Sequence, residues 1–179
     1  MNKIFIVIFA LLVFCTNNVF GQSPKPKASP TPTPAILVDY TLPYPGVLPD
    51  NALYKIKMLR DRIEAMLITD SLKKAEFFLK MGDKRINAAK FLSDYGNFSL
   101  AATTASKAEI YLLRSVEETE KAKNQGKDVK AFLGRLTSAS LKHEELLSGM
   151  WDKAPDGPKQ SFEKSKITTG DVYKKAKEL

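Results

Sequence analysis

All ten prolines of this chain lie outside one long central stretch. Eight fall between Pro24 and Pro49, two more are Pro155 and Pro158, and none occurs from Asp50 to Ala154. Proline removes an amide donor and clashes with the preceding turn, so it is excluded from helix interiors. A proline-free stretch of this length, rich in Ala, Leu, Lys and Glu, predicts uninterrupted helix. The expected fold is all-α. It is an antiparallel bundle of about four to five long helices joined by short turns, preceded by an extended Pro-rich strap.

Three segments precede or open the bundle. Residues 1–21 read as a secretory signal: a basic start at Lys3, an apolar run Ile4–Phe14, then polar and small residues ahead of Gln22. The run is too short for a membrane span of roughly 20 residues. Residues 22–35 form a Pro-rich arm, Ser-Pro-Lys-Pro-Lys-Ala-Ser-Pro-Thr-Pro-Thr-Pro at its centre, with no apolar side chains to bury and an expectation of disorder. Residues 36–179 form the helical domain. Its first part, Ile36–Pro49, is apolar and aromatic, with Pro45-Gly46 at a tight turn. It is expected to lie extended on the helices and to bury Leu42, Tyr44, Val47 and Leu48. The sole cysteine, Cys15, lies in the leader, so the exported chain has no disulfide, thiolate metal site or cysteine nucleophile.

Within the body the apolar residues recur at three- and four-residue steps. The first helix is expected from an Asp50 or Asn51 cap to about Ile68, burying Leu53, Ile56, Leu59 or Arg60, Ile63 and Leu67. Thr69-Asp70-Ser71 caps the second, whose stripe holds Leu72, Ala75, Phe78 or Leu79, Ile86, Ala89 and Leu92. Gly96 ends it in the left-handed conformation. The third runs from an Asn97 cap to Gln125-Gly126, and the fourth from Val129 to near Trp151. A last helix spans roughly residues 159–178, using Phe162, Ile167, Val172, Tyr173 and Ala176, with an interruption at Thr168-Thr169-Gly170. Lys74-Ala75-Glu76-Phe77-Phe78-Leu79 is echoed by Lys107-Ala108-Glu109-Ile110-Tyr111-Leu112, an interval near that of helical hairpin repeats.

Several stretches together resemble a known family. Pro45-Gly46-Val47-Leu48-Pro49-Asp50 precedes the helix signature Leu53-Tyr54-Lys55-Ile56-Lys57. A Lys74-Ala75-Glu76 helix with Leu79 and Arg85 follows, and then a return helix led by Gly96 and reaching Lys107-Ala108. Over roughly residues 40 to 120 this is similar to DUF5667, a bacterial domain of unknown function. The resemblance implies an exported or membrane-tethered helical domain and implies no reaction. Gly82 departs from the pattern. It weakens the second helix by about 1 kcal/mol relative to Ala and offers a place for a kink.

Reactive constellations are not legible. His143 is the one histidine, too few for a zinc site built from about four ligands. It falls on the apolar stripe of the fourth helix, where a hydrogen-bonded core residue is expected. No phosphate-binding glycine loop or Gly-x-Ser-x-Gly elbow is present, and Met58, Met66, Met81 and Met150 read as core filler rather than copper ligands. No catalytic residue, metal site or cofactor is expected. The leader holds one base, Lys3, so past it 27 bases face 20 acids, a surplus of +7. The surplus is dispersed among acids, as on a solvated helix surface.

The expected role is a non-catalytic scaffold or protein-interaction module in the periplasm or outside the cell, with an unknown protein as partner. The alternative is a basic adaptor for an anionic envelope polymer or membrane surface. Nucleic acid is not expected as a partner. The candidate interaction surface comprises Tyr44, Pro45 and Gly46 of the strap, Lys73, Lys74, Lys80, Lys84, Arg85 and Lys90 of the second helix, and Trp151.

Overall fold

A computed structural model describes residues 38–179. The leader and the arm, with the first residues of the strap, lie outside the described residues. Five helices follow one another: α1 (Tyr54–Leu67), α2 (Ser71–Asp94), α3 (Phe98–Asn124), α4 (Lys130–Lys153) and α5 (Asp156–Glu178). No strand occurs among the described residues.

Local chemistry sets most of the boundaries. Asp70 caps α2 by accepting from the Lys73 amide at 3.0 Å, and Asn97 caps α3 by accepting from the Leu100 amide at 3.3 Å. Gly96 and Gly126 close α2 and α3 with φ of +80° and +78°, a region other residues reach only with strain. Two boundaries differ from expectation. Asn51 accepts from the Leu53 amide and serves a turn ahead of α1, so that helix starts at Tyr54. At the other end, α5 begins at Asp156, with Pro158 in its first turn, where a missing amide costs nothing. It then runs through Thr168-Thr169-Gly170 without interruption, with the hydroxyls of Thr168 and Thr169 donating to the carbonyls of Lys164 and Ser165 inside the helix.

The helices form two hairpins, α2–α3 and α4–α5. Within the first, the two helices run antiparallel: Ser115 donates to the Ala75 carbonyl at 2.8 Å, and Gly82 faces Ala108. Between hairpins the lateral neighbours run parallel. Glu76 pairs with Arg135, Asp83 with His143 and Asp94 with Lys153 between α2 and α4, at sequence separations of 59, 60 and 59. Ser106 meets Ser165 and Glu109 meets Thr169 between α3 and α5, at separations of 59 and 60. The second hairpin is therefore the first one translated sideways by a constant register. The echo at an interval of 33 has a different meaning: it links two antiparallel helices of one hairpin and marks no structural repeat.

Two apolar zones fill the bundle interior. Ile86, Leu92, Ala105, Leu147, Met150 and Phe162 fill one, and Leu79, Leu112, Val116, Phe132, Leu136 and Val172 the other. A third, smaller cluster of Phe77, Phe78 and Met81 lies under α1. Small residues let α2 and α3 approach closely, and Gly82 faces the α3 backbone directly. A Cβ there would sit 3.3 Å from the Ala108 carbonyl oxygen and 3.4 Å from a Leu112 methyl. The glycine expected as a weak point is a packing device, and α2 passes through it unbroken. Gly82→Ala gains about 1 kcal/mol of helix propensity against this crowding, so it is expected within about 1 kcal/mol of the parent. Gly82→Val cannot be accommodated beside a helix backbone and is expected to cost about 2 kcal/mol. Urea midpoints of the two variants measure this; equal midpoints would refute the close approach.

The strap lies along α2 and α4. The Val38 amide donates to Glu145, Asn87 donates to the Pro43 carbonyl at 3.0 Å, and Gly46 takes a φ of +73° at the expected turn. Leu42, Val47 and Leu48 are half-buried and Pro45 is buried, but Tyr44 points to solvent, contrary to expectation.

The largest departure concerns α1, which approaches α2 alone among the helices. Its apolar stripe was expected in the core. Instead Leu53, Ile56, Leu59, Ile63, Met66 and Leu67 face outward, with exposures from 51 % at Ile63 to 76 % at Leu67. The side turned inward carries Asp61, the buried residue of α1, with half-buried Tyr54, Lys57 and Met58; Ala65 and Ile68 touch Phe77, Phe78 and Met81.

Candidate functional site

Between the two apolar zones lies a layer of buried polar side chains. Asp83 follows Leu79 by one turn on α2, Glu109 precedes Leu112 on α3, His143 precedes Leu147 on α4, and Thr169 precedes Val172 on α5. Each occupies a stripe position where helix periodicity demands burial. Tyr40 of the strap joins them from outside.

The connections close on one another. His143 Nε2 donates to Asp83 Oδ1 at 3.1 Å and Nδ1 to Glu109 Oε1 at 3.0 Å. Tyr40 donates to Asp83 Oδ2 at 2.7 Å, and Thr169 to Glu109 Oε2 at 2.5 Å. All four carboxylate oxygens thus have a donor. An acceptor at each ring nitrogen requires both to carry hydrogen, which only the imidazolium form provides. Burial is the largest influence on the ring and opposes its charge. The negative charge of Glu109, the hydrogen bonds from both carboxylates and the charge of Asp83 outweigh it and raise His143 to about 9. Tyr40 is raised well above the usual phenol range, first by burial and then by the charge of Asp83 and the hydrogen bond to it, and stays protonated.

This layer is sealed. His143 is 0 % exposed and Glu109 1 %. A substrate has no access to a ring in that position, so the layer acts as a structural tie joining the strap and four helices. His143 matches the hydrogen-bonded core residue expected for it. Its partners were missed. Glu109 was legible in principle, as a charge on a stripe otherwise made of Ala105, Ala108 and Leu112. Among the described residues, no cluster of three His, Cys, Asp or Glu has the spacing of a metal site.

A second polar group lies under α1. Arg85, expected on an interaction surface, is instead buried. Its guanidinium stacks 4.1 Å above the Tyr111 ring, and its Nη2 contacts Met58 Sδ at 2.7 Å. Its Nε has no partner. No carboxylate among the described residues forms an ion pair with it. The aromatic face offsets part of the desolvation cost of this cation.

The other candidate residues are scattered. Lys73, Lys80 and Lys84 share one side of α2 by spacing, with Lys73 and Lys80 exposed and Lys84 half-buried. Lys74 is half-buried on another side, and Lys90 is engaged with Asp94 at 2.7 Å. Tyr44 and Gly46 are exposed but the Pro45 between them is buried. Trp151 is 36 % exposed, with Lys159 5.2 Å and Lys166 5.9 Å from its ring centre. These residues do not converge on one patch. Among the described residues, the outer face of α1 groups the most exposed large apolar side chains on one element. Sequence periodicity had found its residues and assigned them to the interior.

Residues 46–157 match the family described as Domain of unknown function (DUF5667). The chain belongs to this family. The match starts at Gly46 and reaches past α4, beyond the roughly 40 to 120 expected from the motifs. Within DUF5667 limits therefore fall α1, Asp83, Glu109 and His143, while Tyr40 and Thr169 lie outside. No curated protein and no solved structure matches the chain. Among the described residues, no helix is long and apolar enough to cross a membrane.

Proposed function

We propose that this DUF5667 protein is a non-catalytic, extracytoplasmic helical interaction module, whose contact surface is the outer face of α1. One observation carries the reading. α1 docks by its polar side, around Tyr54, Met58 and Asp61, and holds its apolar side toward solvent. Covering the five large apolar side chains of α1 and Leu53 just before it is favourable by about 25 cal/mol for each Å² removed from water, and a contiguous patch of this kind marks a binding surface. The sealing of the His143 layer also favours a structural over a chemical role for the domain's most elaborate polar cluster. The secretory layout of residues 1–21 supports a location outside the cytoplasm.

The test uses the full chain with Leu59→Ser and Ile63→Ser, two outward-facing positions whose loss leaves the fold intact, as matching melting curves would verify. Envelope material retained by the immobilised parent is expected to be lost from the double variant. Equal retention by both would refute the assignment of the contact surface to α1.

A further inference from the structure

The α1 face has a chemistry that narrows its occupant. Resting on the interaction reading above, we infer that α1 seats the domain on an anionic lipid surface. Three features combine. The first is shape. This side is made by Ile56, Leu59, Arg60, Ile63, Glu64, Leu67 and Ile68, all from α1 or the residue after it. No second helix supplies an opposing wall, so the face is a ridge rather than a groove. A ridge suits a planar, deformable surface, whereas helix recognition uses a groove between elements. The second is charge. By helical spacing the exposed Lys55 and Arg62 flank the apolar stripe on one edge; on the other lie Glu64 and Arg60, the latter paired with Asp61 at 2.7 Å, so the free positive charge is on the Lys55–Arg62 edge. Apolar residues bordered by Lys and Arg are the pattern of helices lying in a headgroup layer, where the bases remain among anionic phosphates. The third concerns a second copy. Two such faces brought together would oppose the same basic flanks in a chain already carrying a formal +8, which disfavours self-association.

The orientation of α1 fits this role. An isolated amphipathic helix on a membrane turns its polar side to water; here that side is taken by the bundle, through Met58 against Arg85 and Ala65 and Ile68 against Phe77, Phe78 and Met81. The helix is thus held ready with its insertion face outward. The domain would bind without prior unfolding of α1.

Hydrogen exchange read locally over residues 54–67 tests this without interference from the apolar leader. With vesicles of phosphatidylglycerol and phosphatidylethanolamine, α1 amides of the full chain are expected to exchange at least tenfold more slowly than with no lipid. Vesicles of phosphatidylcholine alone are expected to leave them unchanged. The Leu59→Ser, Ile63→Ser variant is expected to lose the protection, and Lys55→Gln with Arg62→Gln to weaken it severalfold. Unchanged exchange with the anionic vesicles overturns the inference, as does equal protection in the serine variant. Protection that instead rises with protein concentration and no lipid would overturn the lipid assignment in favour of a second copy, leaving the interaction reading of the same face standing. Failure of that broader reading is distinct: the serine variant would then retain every association the parent shows.

Discussion

Replacing His143 with leucine is expected to destabilise the domain by about 4 kcal/mol, within the range for removing one partner of a buried ion pair. The size follows from what remains. Asp83 and Glu109 would keep their places in the interior, 4 % and 1 % exposed, with the imidazolium gone and a methyl group facing each orphaned oxygen. Tyr40 and Thr169 would still donate to the outer oxygens, but neither brings a positive charge. The loss is therefore in charge compensation rather than in packing, since leucine and histidine are of similar bulk. A second substitution separates the two. Adding Glu109→Gln to His143→Leu removes one stranded charge and is expected to restore part of the loss, a coupling measurable by denaturant midpoints in a double-mutant cycle. A His143→Leu protein as stable as the parent would mean that the layer contributes nothing.

The same residue makes stability fall as the solution becomes alkaline. Unfolded histidine titrates near 6.5, while His143 in the folded domain is raised to about 9. Between these values the folded state holds a proton that the unfolded state has released, so stability decreases with rising pH. The contribution is fully present below about 6.5 and is lost as pH passes through about 9. A gap of this size corresponds to about 3 kcal/mol at 1.36 kcal/mol per unit, and His143 is fully buried, so solvent does not screen it. Urea denaturation from pH 6 to 10 measures the decline. Comparison with His143→Leu removes the background from lysines and tyrosines: the difference between the two curves is expected to shrink steadily over this interval. Parallel curves would show that some other group titrates.

The sequence made the helices legible but left their arrangement open. Caps such as Asp70 and Asn97 and stops such as Gly96 and Gly126 act within a few residues, so local chemistry fixes them. Periodicity in α1 identified the apolar side. It carries no information about which side meets the bundle, and in α1 the polar side won because Tyr54 and Met58 could cover Arg85 and Tyr111. The polar layer was illegible for another reason. Its members are residues 40, 83, 109, 143 and 169, brought together only by the register between hairpins. Ile167 shows the reverse error: expected in the core, it is exposed, because the continuous α5 turns Ser165, Thr169 and Val172 inward instead.

That shared layer bears on how the polypeptide reaches its native state. The first hairpin alone carries Asp83 and Glu109 with no cation between them, and the second carries His143 with neither carboxylate. Each half gains its charge compensation only from the other. The two halves are thereby expected to assemble together, and a ribosome that has released only the N-terminal half holds a chain still lacking the partner of its carboxylates.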